Sequence, residues 1–286
     1  MLYWITGNKT YATNAITILN AYSGVKSYSL TNAPLQAAWD GDKWPRAAEI
    51  IRAANVGWST ADSQAFGAML TNVIVPEIYN GSPDNGNWEL SMIEAMMGIA
   101  VFTDNPALFQ HAVTFWGERV PAYIYYEPID GAKPVPPPRG KLDWNGQKVY
   151  GAATSGVTQE TCRDMGHTQF GLASMVNADE TAEIQGVDLY GSQRPRIEAA
   201  LELQTYYLAG AAIPSDICGG KLARGSNFWY PTFEVGYNEF HNRLGDNLPN
   251  TINWITKTVR GLPDYIGAGT DHMIANETLT HGGNAN

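Results

Sequence analysis

The sequence predicts an all-α protein. Apolar residues recur at helical spacing in segment after segment, the segments run about 10–20 residues between Gly, Pro and Asn stops, and alternating strand patterns are almost absent. The first helix is predicted over 10–22, with Ala12, Ala15, Ile16, Leu19 and Tyr22 on one face and Gly24 as the stop. Pro45 opens a short helix to Ala54. Ser59 caps the next, with Asp62 at its third position, and that helix carries Phe66, Met69, Leu70 and Val73 and ends at Pro76. Asn87 is placed to cap a helix running through Met92, Ala95, Met96 and Ile99 to Phe102. Asn105-Pro106 starts another, ending near Val120-Pro121.

Residues 127–151 break the pattern, because Pro134, Pro136, Pro137 and Pro138 cannot continue a helix. They read as a surface excursion or a lid over a cleft. The helical pattern resumes over 158–184 with Gly186 as stop, then over 195–209 with Gly210. Residues 214–229 are irregular, and Pro231 opens a helix ending near Gly245. Antiparallel helix pairs in a ring or arc, a solenoid and a compact bundle all satisfy this order. No fixed-period repeat is visible.

The chain has 286 residues, 44% hydrophobic and 16% charged, which is a globular composition with room for a sizeable core. The expected organisation is one domain over 1–275 and a disordered Gly/Asn-rich tail over 276–286. A net charge of -10 argues against nucleic acid and anionic membrane as partners. An anionic substrate would need Arg, Lys and His gathered locally. Cys162 and Cys218 are either a disulfide or two buried thiols. No Cys/His cluster has zinc spacing, and no apolar run is long enough to cross a membrane. The opening Leu2-Tyr3-Trp4-Ile5-Thr6-Gly7 reads like the interior of a domain, so further sequence is expected before it. Asn8-Lys9-Thr10 and Asn276-Glu277-Thr278 are glycosylation sequons, in keeping with secretion.

Three stretches carry candidate chemistry. In 159–172, Glu160, Arg163 and His167 fall on one stripe if the segment is helical, within about 60° of each other. Such a stripe is either a solvated face or a cavity-lining cluster, and the small neighbours Gly166, Gly171 and Ala173 favour the cavity. In 85–89, Asn85 and Asn87 offer a helix cap, an amide facing a groove, or one role each. In 223–241, Arg224 lies six residues before Tyr230, with Glu234, Tyr237, Asn238 and His241 beyond it. The alternative there is a surface arginine among core tyrosines.

Several blocks, in order over about residues 4–245, resemble the alginate-lyase-like family of polysaccharide lyases. They are Trp4-Ile5-Thr6-Gly7-Asn8-Lys9-Thr10-Tyr11-Ala12, the run Ala15 to Ala21, and Gly86-Asn87-Trp88. Glu160 with Arg163-Asp164 and His167-Thr168-Gln169 follows, then Gly186-Val187-Asp188-Leu189-Tyr190, and Arg224-Gly225 with Tyr237-Asn238. The resemblance implies an incomplete (α/α) toroid of antiparallel helix pairs, secreted or periplasmic, that cleaves uronate polymers by β-elimination without a cofactor or metal. Some relatives carry an Asn-His pair at the first motif. Here Trp88 follows Asn87, which shifts weight to His167 as base.

The chemistry sets demands. The C5 proton of a uronate becomes removable only when the neighbouring carboxylate is neutralised. Asn87 and Arg224 are the candidates for that, supported by Arg163. A base removes the proton and an acid protonates the departing O4. His167 and a tyrosine, Tyr230 in preference to Tyr237, are expected to share these roles. Glu160 is expected to orient His167, and Trp88 and Gln169 to line the groove. One rival reading is a glycoside hydrolase using Glu160 and Glu234 as its carboxylate pair. Another is a non-catalytic glycan-binding protein.

Overall fold

A computed structural model describes residues 2–140, 142–224, 233–260 and 277–283. Among them the protein is all-α: no strand forms, and Ile124 and Thr158 make an isolated antiparallel bridge. The chain divides into two compact units, residues 1–81 with 91–113 and residues 82–90 with 114–286.

In the first unit the Lys9–Tyr22 helix packs on Ala33–Ala54 and on Thr60–Met69. Ser59 caps the last of these as expected, its hydroxyl accepting the Asp62 N–H at 3.1 Å. Two prolines behave differently from the expectation. Pro45 lies inside the Ala33–Ala54 helix and does not start it. Leu35, Ala37 and Ala38 before it and Ala48 and Ile51 after it are all buried, so packing along the whole length outweighs the one backbone bond that proline removes. This helix also approaches a neighbour closely, since a Cβ on Gly41 would stand 2.9 Å from that of Ala95. Pro76 does not end its helix either. The chain widens into a π-turn over Leu70–Ile74 and continues as Val75–Ile78, which absorbs the missing N–H of Pro76.

The second unit is built around the Met165–Ile184 helix. Fourteen of its 20 residues are buried, so it is covered nearly all round. It packs on Leu189–Leu208 and on Phe233–Tyr237, and Leu189–Leu208 packs in turn on Pro249–Trp254. Leu189–Leu208 is kinked at Gln193, two residues before Pro195, so the start read at Pro195 is the second limb of a longer element. The helix begun at Pro106 runs past Pro121 to Tyr123. The proline-rich excursion is irregular beyond the short Glu127–Asp130 helix. It is anchored by Trp144, which joins Tyr125, Val157, Tyr207 and Ile217 in a core cluster. Buried Arg196 binds both oxygens of Asp130 at 2.7 Å. Cys162 and Cys218 form a disulfide.

At the C-terminal end, residues 277–281 are helical, not disordered. Glu277 is buried, and its carboxylate accepts the Glu234 N–H at 2.9 Å.

Candidate active site

The helix predicted over 158–184 begins only at Met165. Residues 158–164 form a turn in which the Thr158 N–H reaches the Thr161 hydroxyl at 2.8 Å and the Arg163 N–H reaches the Glu160 carbonyl at 2.9 Å. Gln204 fastens the turn from outside, donating to Thr161 Oγ1 at 3.0 Å and to the Gly156 carbonyl at 2.8 Å. Asp164 is the boundary. Its backbone is extended, its Oδ1 accepts the His167 N–H at 2.8 Å, and it is therefore the N-cap. Hence Glu160, Arg163 and His167 do not share a helical stripe. The turn brings them together instead.

The same Asp164 carboxylate reaches His167 twice, because Oδ2 lies 2.7 Å from His167 Nδ1. The residue orienting the imidazole is thus Asp164, where Glu160 was expected. Burial tends to raise the Asp164 carboxyl, but the side-chain and backbone bonds from His167 hold it below the usual carboxylate range. With Nδ1 engaged, Nε2 is the ring nitrogen left to face a substrate. The His167 side chain is 39% exposed.

Glu160 is fully buried, with Arg163 Nη1 3.5 Å from its carboxylate. Burial raises its pKa and outweighs the lowering influence of Asn85 and of Arg163. Arg163 keeps 43% of its side chain exposed, so its guanidinium can also meet an anion.

Beside the turn stands the N-terminus of the Gly86–Phe102 helix. The Gly86 N–H donates to Gln159 Oε1 at 3.1 Å, and the Trp88 N–H to the Asn85 carbonyl at 3.1 Å. Of the arrangements open to the pair, Asn85 holds the cap position, and Asn87 is already inside the helix. Asn87 is fully buried. Its Oδ1 accepts the Trp88 N–H at 2.9 Å, while its Nδ2 has no hydrogen-bond partner among the described residues. Trp88 itself is half-buried.

Tyr123 completes the cluster and was not singled out from sequence. It is fully buried between two glycines. A Cβ on Gly86 would stand 2.6 Å from its ring, and one on Gly171 would collide with its hydroxyl and lie 3.1 Å from Asn87 Cβ. Burial first, and then the charge of Glu160, push its hydroxyl well above the usual tyrosine range. Two signals existed in the sequence: an Asp three residues before a His, which is capping-box spacing, and glycines at 86 and 171 where no turn was read. Beneath the cluster, buried Glu89 binds Arg119 Nε at 2.6 Å and Arg139 Nε at 2.5 Å.

Two expected residues, Arg224 and Tyr237, sit elsewhere. Arg224 donates from Nε to the Tyr207 carbonyl at 2.8 Å and from Nη2 to the Ala211 carbonyl, so its guanidinium closes the end of the Leu189–Leu208 helix. Its neighbour Ala223 does border the site, accepting the Met165 N–H at 2.8 Å. Tyr237 is buried and stacks on His241 at 4.7 Å, and Arg260 and Glu202 are the charged groups acting on it. Gln169 is buried, with its amide on the Met165 carbonyl at 3.1 Å. Tyr230 lies outside the described residues.

Among the described residues no group of three or more His, Cys, Asp and Glu side chains is arranged to hold a metal, and no helix is long and apolar enough to cross a membrane. Compared with protein-family models, curated proteins and solved structures, the chain matches none.

Proposed function

We propose that the chain is a metal-independent polysaccharide lyase that cleaves a uronic-acid polymer, of the alginate or glucuronan type, by β-elimination. We place it on an incomplete (α/α) toroid of antiparallel helix pairs and in a secreted or periplasmic setting, where a disulfide such as Cys162–Cys218 persists. The observation that carries the reading is an Asp164-oriented imidazole one helical turn before Gly171, where the helix meets Asn87, a buried residue whose Nδ2 has no partner among the described residues.

In this reading Asn87 Nδ2 and Arg163 bind the substrate carboxylate and allow charge to build on it. His167 Nε2 takes the C5 proton, the electron pair forms the C4–C5 double bond, and the C4–O4 bond breaks. The leaving O4 takes a proton from an acid, for which Tyr230 is the candidate. The two-carboxylate hydrolase is less well supported. The Glu234 carboxylate is engaged by Arg260 Nε at 2.7 Å and by Thr278 Oγ1 at 2.5 Å, and neither group acts on Glu160.

The test is a panel of alginate block types, glucuronan, hyaluronan and pectate, incubated with excess chelator and followed by ultraviolet absorbance. Unsaturated uronate ends absorb, whereas a hydrolase product or a bound, uncut glycan does not. New reducing ends without new absorbance would replace the lyase by a hydrolase. Full loss in chelator, restored by calcium, would overturn metal independence.

A further inference from the structure

A groove of 690 Å³ lies within the first unit, in the size range of small-molecule sites, about 300–1,000 Å³. One wall is Trp58. Its ring is wedged against Phe66 and Phe102, with centroids at 5.9 and 6.2 Å, and its N–H is tied to Asn20 Oδ1 at 2.8 Å. The aromatic is therefore held in place before anything binds. The floor is small at Gly67 and Ala68. Around it stand Asn55, Ser63, Gln64, Thr71 and Asn72, whose side chains make no hydrogen bonds among the described residues.

Three backbone irregularities meet at this groove. Asn55 and Asp104 are both left-handed, at φ 51°. Thr71 and Asn72 belong to the π-turn Leu70–Ile74, and such turns recur at functional sites. Asn is a common left-handed helix cap, so Asn55 alone has an ordinary explanation. Asp104 ends a helix in the same way, with the Asn105 N–H on the Ala100 carbonyl at 2.9 Å, so the π-turn beside the locked indole is what adds to it.

The charges narrow the ligand. Arg52 is held over Phe102 at 4.6 Å, its Nη1 on the Phe102 carbonyl at 3.0 Å and its Nη2 on Glu49. Glu49 thus pairs its charge, and Asp104 adds one acidic side chain to the lining. What remains is one aromatic face with amides and hydroxyls around it, which suits a sugar ring that is apolar on one face and hydroxyl-rich at its edge. We infer that this groove is a binding site for a neutral saccharide, separate from the residues around His167. The inference does not depend on the lyase reading.

The experiment is native affinity electrophoresis of the full chain in gels containing soluble glucan, mannan, xylan or alginate. Two variants accompany it: Gln64→Ala/Asn72→Ala removes polar contacts, and Ala68→Trp fills the floor from an exposed position. At least one neutral glycan is expected to retard the wild type, with both variants weakening apparent affinity at least tenfold while circular dichroism is unchanged. Lack of retardation by any neutral glycan, retardation by alginate alone, or binding retained in both folded variants would overturn the inference. Ultraviolet assays on the same samples report the lyase reaction independently.

Discussion

Asp164 uses one carboxylate to start a helix and to aim an imidazole, and substitution can separate the two. Asn caps as well as Asp, so Asp164→Asn should leave thermal stability nearly unchanged. Without the carboxylate charge facing Nδ1, turnover on a uronate polymer should fall roughly 100-fold. Equal losses of stability and turnover would make Asp164 a cap alone. Glu160 provides a pH test. Its folded pKa is raised above the ordinary 4.5, so the folded state holds a proton that the unfolded state gives up as pH rises. Stability owed to that proton is present at low pH and declines as pH climbs from about 4.5 towards the raised value. Glu160→Gln should therefore match the wild type near pH 4 and equal or exceed it in melting temperature at pH 8. A variant much less stable at pH 8 would mean that Arg163 stabilises the carboxylate more than burial opposes it. At this scale the sequence marked Glu160, Arg163 and His167 as ionisable residues among small apolar neighbours, but it also grouped Arg224 and Tyr237 with them and gave no sign of Tyr123. That Asp164 and not Glu160 holds the histidine follows from where the helix starts.

At the scale of elements, the start of the Met165–Ile184 helix was missed because residues 158–164 contain no proline or glycine and fit a helical period. The break is made by a cap and a cross-link, and neither leaves a periodic signal. Prolines are weaker punctuation than their usual reading: Pro45 lies deep inside a continuous helix, since tertiary burial outweighs one lost bond, and the helical segments expected to end at Pro76 and near Pro121 run two residues further. At Ser59, where the cap follows a clear break in the periodicity, the sequence and the structure agree. Arg224 closes a helix here, so Arg224→Ala should cost about 1.5–3 kcal/mol of stability, the range for bonds from a charged donor, with turnover per folded molecule little changed. A large loss of turnover with an unchanged melting temperature would return Arg224 to the catalytic group. Gly171→Ala should destabilise by about 1–3 kcal/mol by overpacking against buried Tyr123, read by denaturant melts.

For the whole molecule, the all-α class was legible from periodicity alone, whereas the disulfide was left open because two cysteines carry no pairing information. Cross-linking residues 56 apart should be worth about 4 kcal/mol by loop-closure entropy. Cys162→Ser/Cys218→Ser should lower the melting temperature and also turnover, since the bond pins the turn that holds Glu160 and Arg163. Acid should act at the C-terminal helix. Glu180 is subject to burial that raises its carboxyl, but His281 and Arg243 bring it down to about 2. The stability it supplies is full above about 4.5 and is lost as pH falls towards 2. Glu180→Gln should flatten that acid limb, and an unchanged limb would assign acid unfolding to other carboxylates.

The cross-link also sets an order of events during synthesis. Cys162 leaves the ribosome well before Cys218, with the excursion around Trp144 already made and the Leu189–Leu208 helix still to come. Until Cys218 follows, the turn beside His167 has only hydrogen bonds to hold it. Much of that hold comes from Gln204 and Ala223, which are themselves late arrivals. The turn therefore lacks its full set of ties until residue 223 has been made, and a nascent chain halted before residue 218 should carry Cys162 as a thiol open to alkylation.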